Sequence, residues 1–359
     1  METIRFAAVS RNDFKMPVWG ARRAGLFAAE GLDVEIELHE GVDEMTDRLR
    51  DGRVSLACGI TEHVVLDHEA GGTLAIIGGN VNKLPFSLIA GPNVRTATDL
   101  RGKVIGVSSL QAGSSSLVMR LLKAHGLRHP YDYTLRALGP ILARWRMLPS
   151  GEIDAGCRGR PLDYIARDAG FWAVCKPREE VPDFQFTPLN VDAAWARANA
   201  VVVVRFMRAF VRAHRRFFAD CAGATEIAPI ETGVERRHLE RAWHEYTGET
   251  IFPRDGDVST AALQALIDIS ALIRPVPGRR AATADAYEDR SDLHAAWRDL
   301  GDEAAGKAAG YYFAAAAATS RRARRSRTSA HDGLSVSASP KSAIAPLRSP
   351  LASWTRPRR

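Results

Sequence analysis

Two separate runs of the sequence alternate short apolar segments with helical segments, and this alternation constrains the fold more than any other feature. The first run contains four strand-like segments, at 4–9, 33–38, 54–58 and 74–77. Strands that alternate with helices predict βαβ units and a parallel sheet. Because such crossovers are right-handed, the strand-to-helix loops at 10–15, 59–61 and 78–82 are expected to converge at one edge of that sheet.

The alternation restarts after one further extended apolar segment, 84–90, which Gly91 and Pro92 close. The strand-like segments of the second run lie at 103–108, 131–138, 151–155 and 171–175. Its helical segments lie at 114–125, at 140–148 and after Pro161. Two runs of βα units predict two α/β lobes.

The segment from Val104 to Ser116 combines a buried strand, a loop of small residues and the start of a helix. Its apolar run fits a strand buried on both faces, and Gly113 with the following serines opens a helix. The first backbone N–H groups of a helix lack partners within the helix, so this junction could bind an anion. An ordinary strand–helix junction with a capping serine explains the same pattern, and both interpretations stay open.

The chain changes character after residue 188. The segments 192–220, 223–231, 234–246 and 258–273 have helical patterns. Beyond Asp302 the composition turns Ala-rich and then Arg/Ser/Pro-rich, which predicts disorder. Residues 302–359 hold eleven of the 49 Lys and Arg residues and only three acids, so the formal net charge of +7 falls to −1 for residues 1–301. The charge therefore gives no reason to expect specific nucleic-acid binding by the folded part.

The sequence carries few signals for a metal or a disulfide. The four cysteines are widely spaced and form no CxxC motif, so buried free thiols are expected. His63 and Asp67 lie one helical turn apart and could form a two-ligand metal pair. Without a third ligand nearby, we interpret them as part of a solvated helix face, and we expect no metal and no cofactor.

Several motifs in order resemble a known family. They are Asp99-Leu100-Arg101-Gly102-Lys103-Val104-Ile105-Gly106-Val107, Gly151-Glu152-Ile153-Asp154-Ala155, Ala169-Gly170-Phe171, Trp195-Ala196-Arg197-Ala198-Asn199 and the segment 24–34. The chain resembles, over about residues 1–300, the substrate-binding proteins of ABC importers for sulfonate, nitrate, taurine and thiamine-pyrimidine precursors. The resemblance implies a two-lobed type II periplasmic-binding-protein-like α/β fold, in which each lobe is a sheet flanked by helices. The resemblance alone does not identify the ligand.

The resemblance also implies how the chain divides. Lobe one would comprise 1–90 and 188–300, with the mostly helical C-terminal part packed on it, and lobe two would comprise 91–187. The chain would cross between the lobes near Ala90-Gly91 and near Thr187-Pro188, and the lobes would close around a ligand by a hinge motion. Residues 301–359 would form the disordered tail.

We expect the ligand to bind between the lobes. Lobe one would offer residues from its converging loops: Ser10, Asn12, Asp13, Phe14, Gly59, Ile60, Thr61 and Asn80. Lobe two would offer residues from Val104–Ser116 and from the loop after the short strand: Ser108, Ser109, Gly113, Ser114, Ser115, Arg158 and Arg160. Two arginines and a helix start favour an anionic ligand group, unless the arginines pair with Asp154 or Asp163.

Two functions fit these features. The first is a solute-binding protein that captures a sulfonate, carboxylate or heterocycle for an ABC importer. It would be a monomer with a permease as partner, and the resemblance implies a periplasmic or membrane-associated protein. The alternative is a cytoplasmic enzyme of the same fold, such as a pyrimidine-precursor synthase or a decarboxylase, or a ligand sensor. The absence of a signal-peptide pattern after Met1 favours the alternative, whereas the absence of a cysteine-rich loop and of a catalytic triad motif favours binding.

Overall fold

The computed structural model describes residues 1–9, 13–39, 41–110, 114–139, 144, 146–232, 234–270 and 283–301. The predicted helix at 140–148 lies largely outside these ranges, and the predicted tail lies wholly outside them. The chain separates into two compact units, 1–296 and 297–359. In the second unit the description covers only 297–301, which include the end of a helix. None of the helices in the described part is long and apolar enough to cross a membrane.

The described ranges contain ten strands, which form two five-stranded sheets. In chain order the strands are β1 Glu2–Val9, β2 Leu32–His39, β3 Leu56–Cys58, β4 Leu74–Val81, β5 Phe86–Ala90, β6 Val104–Val107, β7 Thr134–Ala137, β8 Ala155–Gly159, β9 Trp172–Cys175 and β10 Thr187–Asp192.

Helices flank both sheets, as the alternation predicts. In chain order the described α-helices are α1 Met16–Arg23, α2 Leu26–Ala29, α3 Val42–Arg50, α4 Thr61–Glu69, α5 Ser114–Ala124, α6 Leu162–Asp168, α7 Pro177–Glu180, α8 Ala193–Ala198, α9 Ala200–Ala219, α10 Cys221–Thr232, α11 Arg236–Gly248, α12 Thr260–Ser270 and α13 Ser291–Asp299.

Sheet one has the strand order β2-β1-β3-β10-β4. Its strands β1, β2 and β3 pair in parallel, with Glu2 opposite Leu32 and Phe6 opposite Leu56. Strand β10 lies between β3 and β4 and runs antiparallel to both. The sheet is therefore mixed rather than purely parallel, because β10 returns to it from the far end after the second run of βα units.

Sheet two has the order β7-β6-β8-β5-β9 and contains its own antiparallel strand, β5. The sequence placed the segment 84–90 in lobe one, and the structure corrects this, because β5 pairs with β8 and β9. The chain thus leaves sheet one at 82–85 rather than near Ala90-Gly91. The division into two hinged lobes remains a proposal.

The two chain crossings run side by side. The backbone N–H of Phe186 donates to the carbonyl of Val81 at 2.9 Å, and that of Phe184 donates to Asn82 at 3.3 Å. Both crossing segments are therefore tied to each other where they leave and rejoin sheet one.

Two local predictions shift in the structure. The strand expected at 151–155 is β8, Ala155–Gly159, because Gly151 adopts a left-handed turn conformation with φ of 77° and Ile153 packs into the core of sheet two. The single helix expected after Pro17 breaks into α1 and α2 at Gly25, whose φ is 69°. Glycine adopts this backbone conformation without steric cost.

Helix α9 supplies the core contacts of sheet one. The ring of Phe206 stacks on Phe6 from β1, with centroids 5.8 Å apart, and on Phe27 from α2, at 4.9 Å. Phe206 is fully buried, whereas Val201 on the same helix is 74% exposed. One face of a long amphipathic helix thus completes the hydrophobic core.

Phe206→Ala should lower the free energy of unfolding by about 3–5 kcal/mol, because it removes a large buried ring from three aromatic contacts. Chemical denaturation monitored by circular dichroism measures this change. Val201→Ala on the exposed face of α9 is the matched control and should change stability little. Equal effects of the two substitutions would contradict the described packing.

Candidate functional site

A cleft lies where the strand ends of sheet one face those of sheet two. It encloses about 660 Å³ of empty space, part of which opens to solvent. Both sheets contribute to its lining, which consists of Val9, Phe14, Lys15, Val42, Met45, Cys58, Ile60, Phe86, Ser108, Ser114, Gly139, Arg144, Cys157, Phe186 and Thr187. Its largely apolar lining is typical of sites for small organic molecules.

Three phenylalanines form one wall at the chain crossings. Phe14 follows β1, Phe86 begins β5, and Phe186 precedes β10. Their ring centroids lie 4.7–5.7 Å apart in edge-to-face pairs. Edge-to-face packing is the preferred geometry of aromatic pairs, so the three rings form a preorganised apolar surface.

The fully buried Asn80 holds the floor of the cleft together from β4. Its amide nitrogen, which carries two protons, lies 2.5 Å from the backbone carbonyl oxygen of Phe14, 3.2 Å from the hydroxyl of Thr187 and 3.4 Å from the thiol of Cys58. All three of these partners line the cleft. Asn80 therefore positions lining residues rather than lining the cleft itself.

Sheet two supplies a polar corner. Ser108 follows β6 and Ser114 begins α5, and they bond reciprocally: the Ser108 N–H donates to the Ser114 hydroxyl at 3.0 Å, and the Ser114 N–H donates to the Ser108 hydroxyl at 3.2 Å. The guanidinium of Arg144 donates to the same Ser114 hydroxyl at 3.2 Å. This corner brings a helix start, two hydroxyls and a cation together.

Arg144 is a buried cation with neutral partners. It is 4% exposed, and its hydrogen bonds within the described part of the chain go to Ser114 and, at 3.5 Å, to the carbonyl of Gly106. Burial lowers the pKa of Arg144 to about 10, against an opposing effect of Cys157, so the side chain still carries a charge near neutral pH. A buried charge without a counter-charge is costly, and an anion in the cleft would offset that cost.

A second basic side chain enters the cleft from sheet one. Lys15 is 3% exposed, and its ammonium donates to the carbonyl of Val9 at 3.0 Å. Burial lowers the pKa of Lys15, and the nearby Cys58 opposes that effect. The cleft thus has a basic side chain on each side.

The structure brings together part of the predicted site. Four predicted residues line the cleft: Phe14, Ile60, Ser108 and Ser114. The remaining predicted residues in the described ranges lie beside or behind it: Asp13, Gly59, Thr61, Asn80, Ser109, Ser115, Arg158 and Arg160. Ser10, Asn12 and Gly113 lie outside the described residues.

Most of the residues beside the cleft support its walls. Thr61 donates to the carbonyl of Gln185 at 2.6 Å, which anchors the segment before β10. A Cβ on Gly59 would lie 2.2 Å from the side-chain amide nitrogen of Asn190, so a larger residue here would require that side chain to move. Ser109 bonds to Asp43, which connects sheet two to α3, and Ser115 is fully buried within α5.

Neither of the two predicted arginines lines the cleft. Arg158 lies within β8 and is fully buried, and its guanidinium donates to the carbonyls of Cys157, at 3.1 Å, and Arg144. Arg160 bonds to Glu245 on α11, with Asp163 at 3.9 Å, which is the pairing that the sequence left open. Arg158 thus supports Arg144 from behind, and Arg160 connects sheet two to the helical region.

Asp13 points away from the cleft. It lines a separate space of about 260 Å³ among residues of α10 and α11, together with Met16 and Tyr246. Burial raises the pKa of Asp13 to about 7, against an opposing backbone hydrogen bond. Asp13 is therefore a buried carboxyl group in largely apolar surroundings.

The prediction that His63 and Asp67 lie on a solvated helix face is wrong, because both side chains are buried. His63 contacts the Thr46 hydroxyl at 2.5 Å and Asp43 at 3.1 Å. Asp67 accepts from Arg50 at 2.5 Å and from the N–H of Leu74 at 2.9 Å. Each of them connects helix α4 to its neighbours.

Sequence reasoning missed Lys15, Arg144, Phe86, Phe186 and Thr187. A signal existed for Arg144, which is a basic residue inside the apolar helical segment predicted at 140–148. Lys15 lies in a loop that was predicted to converge on the site, but an isolated lysine is usually solvated. The two phenylalanines had no signal, because the pattern does not show that the crossings approach the cleft.

Comparisons with known proteins agree on the fold. The family model described as NMT1/THI5 like matches residues 14–224. A search of the curated proteins finds no match.

Three solved structures illustrate the likeness. The nitrate-binding protein NrtA from Synechocystis has a TM-score of 0.70 and 13% identity, over 86% of this chain and 90% of that one. The alkanesulfonate-binding protein SsuA from Xanthomonas axonopodis pv. citri, bound to MOPS, has a TM-score of 0.64 and 18% identity, over 82% and 98%. The desulfurization enzyme DszB with biphenyl-2-sulfinic acid has a TM-score of 0.58 and 15% identity, over 83% and 99%. The chain thus has the periplasmic-binding-protein fold.

The buried carboxyl group of Asp13 should make the protein less stable as the pH rises. Burial raises the pKa of Asp13 from 3.8 to about 7 in the folded state. The contribution of this group to the free energy of unfolding is therefore greatest below about pH 4, falls between about pH 4 and 7, and stays constant at higher pH. Asp13→Asn should remove this slope and stabilise the protein at pH 8 by a few kcal/mol, roughly.

Denaturant unfolding at pH 4, 6 and 8 measures this effect. Asp33→Asn, which changes an exposed carboxylate on β2, is the control and should leave the pH dependence unchanged. A difference in stability between Asp13→Asn and the wild type that does not grow from pH 4 to pH 8 would contradict the buried position of Asp13.

Proposed function

Because the chain belongs to the NMT1/THI5-like family, we propose that it is a solute-binding protein that captures a small organic anion in its cleft for an ABC importer. The observation that carries this proposal is Arg144, a buried cation at the cleft whose described hydrogen-bond partners are neutral. The sulfonate- and nitrate-binding functions of two structural neighbours support an anionic ligand.

The acidic group of the ligand would bind at the polar corner of sheet two. There Arg144 can donate two parallel hydrogen bonds to a sulfonate or carboxylate, and the hydroxyls of Ser108 and Ser114 can donate to the remaining oxygen atoms. The start of α5 adds favourable backbone dipoles. These groups are already oriented by their mutual hydrogen bonds, which lowers the entropic cost of binding.

The body of the ligand would be apolar. Phe14, Phe86 and Phe186 face it at the crossings, and Val42 and Met45 of α3 and Ile60 before α4 face it from the side of sheet one. Inorganic anions such as nitrate would leave this surface uncovered. We therefore propose a sulfonate or carboxylate with an aliphatic or aromatic body over a free inorganic anion or a neutral heterocycle.

The importer role places the protein outside the cytoplasm, with an ABC permease as its partner. Closure of the two sheets around the ligand would present one recognisable shape to the permease. The crossings at 82–85 and 184–186 would be the hinge, since they are the segments that connect the two sheets.

An enzyme of the same fold is the second candidate, because two thiols, Cys58 and Cys157, line the cleft and one structural neighbour is a desulfurization enzyme. Burial raises the pKa of Cys58, and it raises that of Cys157 to about 11 despite the opposing charges of Arg144 and Arg158. Such thiols are protonated at neutral pH and are poor nucleophiles. This protonation state favours binding over catalysis.

Arg144→Met should abolish anion binding while keeping the fold, since the substitution retains much of the buried aliphatic volume. Octanesulfonate, benzoate, nitrate and the neutral octanol serve as probes in isothermal titration calorimetry and thermal-shift assays. We expect octanesulfonate or benzoate to bind the wild type at least about 10-fold more tightly than nitrate, because each buried methylene adds about 0.8 kcal/mol.

Arg146→Ala provides the matched control, because Arg146 lies two residues away and is exposed. It should bind the probes as the wild type does. Unchanged affinity in Arg144→Met, or binding of octanol as tight as that of octanesulfonate, would contradict the anion site.

The binding and enzyme hypotheses differ in the fate of the ligand. After long incubation with the wild type, mass spectrometry should recover the bound probe unchanged. A product that forms with the wild type and is lost in Cys58→Ser or Cys157→Ser would replace the binding hypothesis with the enzyme.

A further inference from the structure

On the outer side of sheet two, away from the cleft lining, three metal-ligating side chains converge. His125 follows the last residue of α5, Cys175 ends β9, and Glu180 ends α7. One ligand atom from each, an imidazole nitrogen, a thiol sulfur and a carboxylate oxygen, lies within 4.8 Å of the other two. We propose that these residues form a site for a divalent zinc-type cation, with a water molecule as the fourth ligand.

The donor set fits Zn²⁺. Nitrogen, sulfur and carboxylate oxygen are its common protein ligands, and four-coordinate sites with three protein ligands keep one position for water. In a tetrahedral zinc site, metal–ligand distances near 2.1–2.3 Å put the ligand atoms about 3.5 Å apart. The Nε2 of His125 and the Oε1 of Glu180 are already 3.2 Å apart. The site therefore needs only a small contraction around the sulfur.

A second observation points to a ligand at this place. The other carboxylate oxygen of Glu180, Oε2, is buried and has no hydrogen-bond partner in the described part of the chain. A buried carboxylate oxygen without a partner is costly. A cation held by Cys175 and by both carboxylate oxygens of Glu180 would satisfy this oxygen.

The surroundings allow the cation to enter and to be held. The side chains of His125 and Glu180 are 39% and 24% exposed, whereas Cys175 is buried. The strand position of Cys175 is fixed by its pairing with Leu88 of β5. On binding, the thiol proton leaves to solvent and the thiolate coordinates the metal, with no change in oxidation state.

A bound metal would link the end of α5 to the β9–α7 connection. Helix α5 begins at Ser114, which lines the cleft. A bound metal would hold the C-terminal end of α5 and would stabilise the folded chain by mass action. This site is independent of the anion proposal, because it uses none of the cleft residues.

The test uses the full chain, freed of metal by a chelator and then titrated with ZnCl₂ alone in a calorimeter. We expect one Zn²⁺ per chain and a higher melting temperature. Titration with CoCl₂ should produce the charge-transfer absorption of a thiolate–cobalt bond. Cys175→Ser and His125→Ala should each weaken zinc binding by at least the roughly 10–100-fold that loss of an outer-shell partner costs.

Cys221→Ser is the matched control, since Cys221 is another free cysteine far from this cluster in sequence, and it should bind zinc as the wild type does. Arg144→Met should also keep zinc binding, which separates this proposal from the anion site. No stoichiometric zinc in the wild type, or unchanged affinity in Cys175→Ser with its melting temperature intact, would overturn the proposal.

Discussion

The cleft depends on one buried amide. The amide nitrogen of Asn80 on β4, which carries two protons, lies within hydrogen-bond distance of the segment after β1, the end of β3 and the start of β10. Its partners Phe14, Cys58 and Thr187 all line the same cavity. A buried donor shared among several acceptors favours one arrangement of the surrounding segments. The apolar wall and the polar corner are both built around this fixed floor.

The buried arginines at the cleft and in the region beside it differ in their partners. Arg160 lies against two carboxylates, and Asp163 and Glu245 hold its pKa above its ordinary value although burial opposes them. Arg144 is equally buried, but its described partners are neutral, and burial lowers its pKa. Burial and the charge of Arg144 likewise lower the pKa of Arg158 to about 9. The paired arginine thus joins elements of the fold, whereas the described hydrogen bonds of Arg144 at the cleft go to neutral groups.

Repeated βα units were enough to predict two α/β sheets and the convergence of the loops around Phe14 and Ile60, because both follow from chirality and topology. The sequence did not show that β5 belongs to sheet two, since an isolated apolar strand carries no information about which sheet it joins. The roles of Arg144 and Arg158 also escaped prediction. The predicted strand at 151–155 left Arg158 in the loop that follows, whereas the turn at Gly151 shifts the strand to Ala155–Gly159, which contains Arg158. Ser108 and Ser114 were predictable, because a strand–helix junction fixes them locally.

The position of β10 has a consequence for synthesis on the ribosome. Strand β4 hydrogen-bonds within sheet one only to β10, which is made more than a hundred residues later. All five strands of sheet two, from Phe86 to Cys175, leave the ribosome in the interval between them. All strands of sheet two are therefore synthesised while β3 and β4 of sheet one still lack the strand that lies between them. Sheet one is complete only when β10 inserts between β3 and β4. For this chain the usual order, in which N-terminal parts fold first, is reversed by topology.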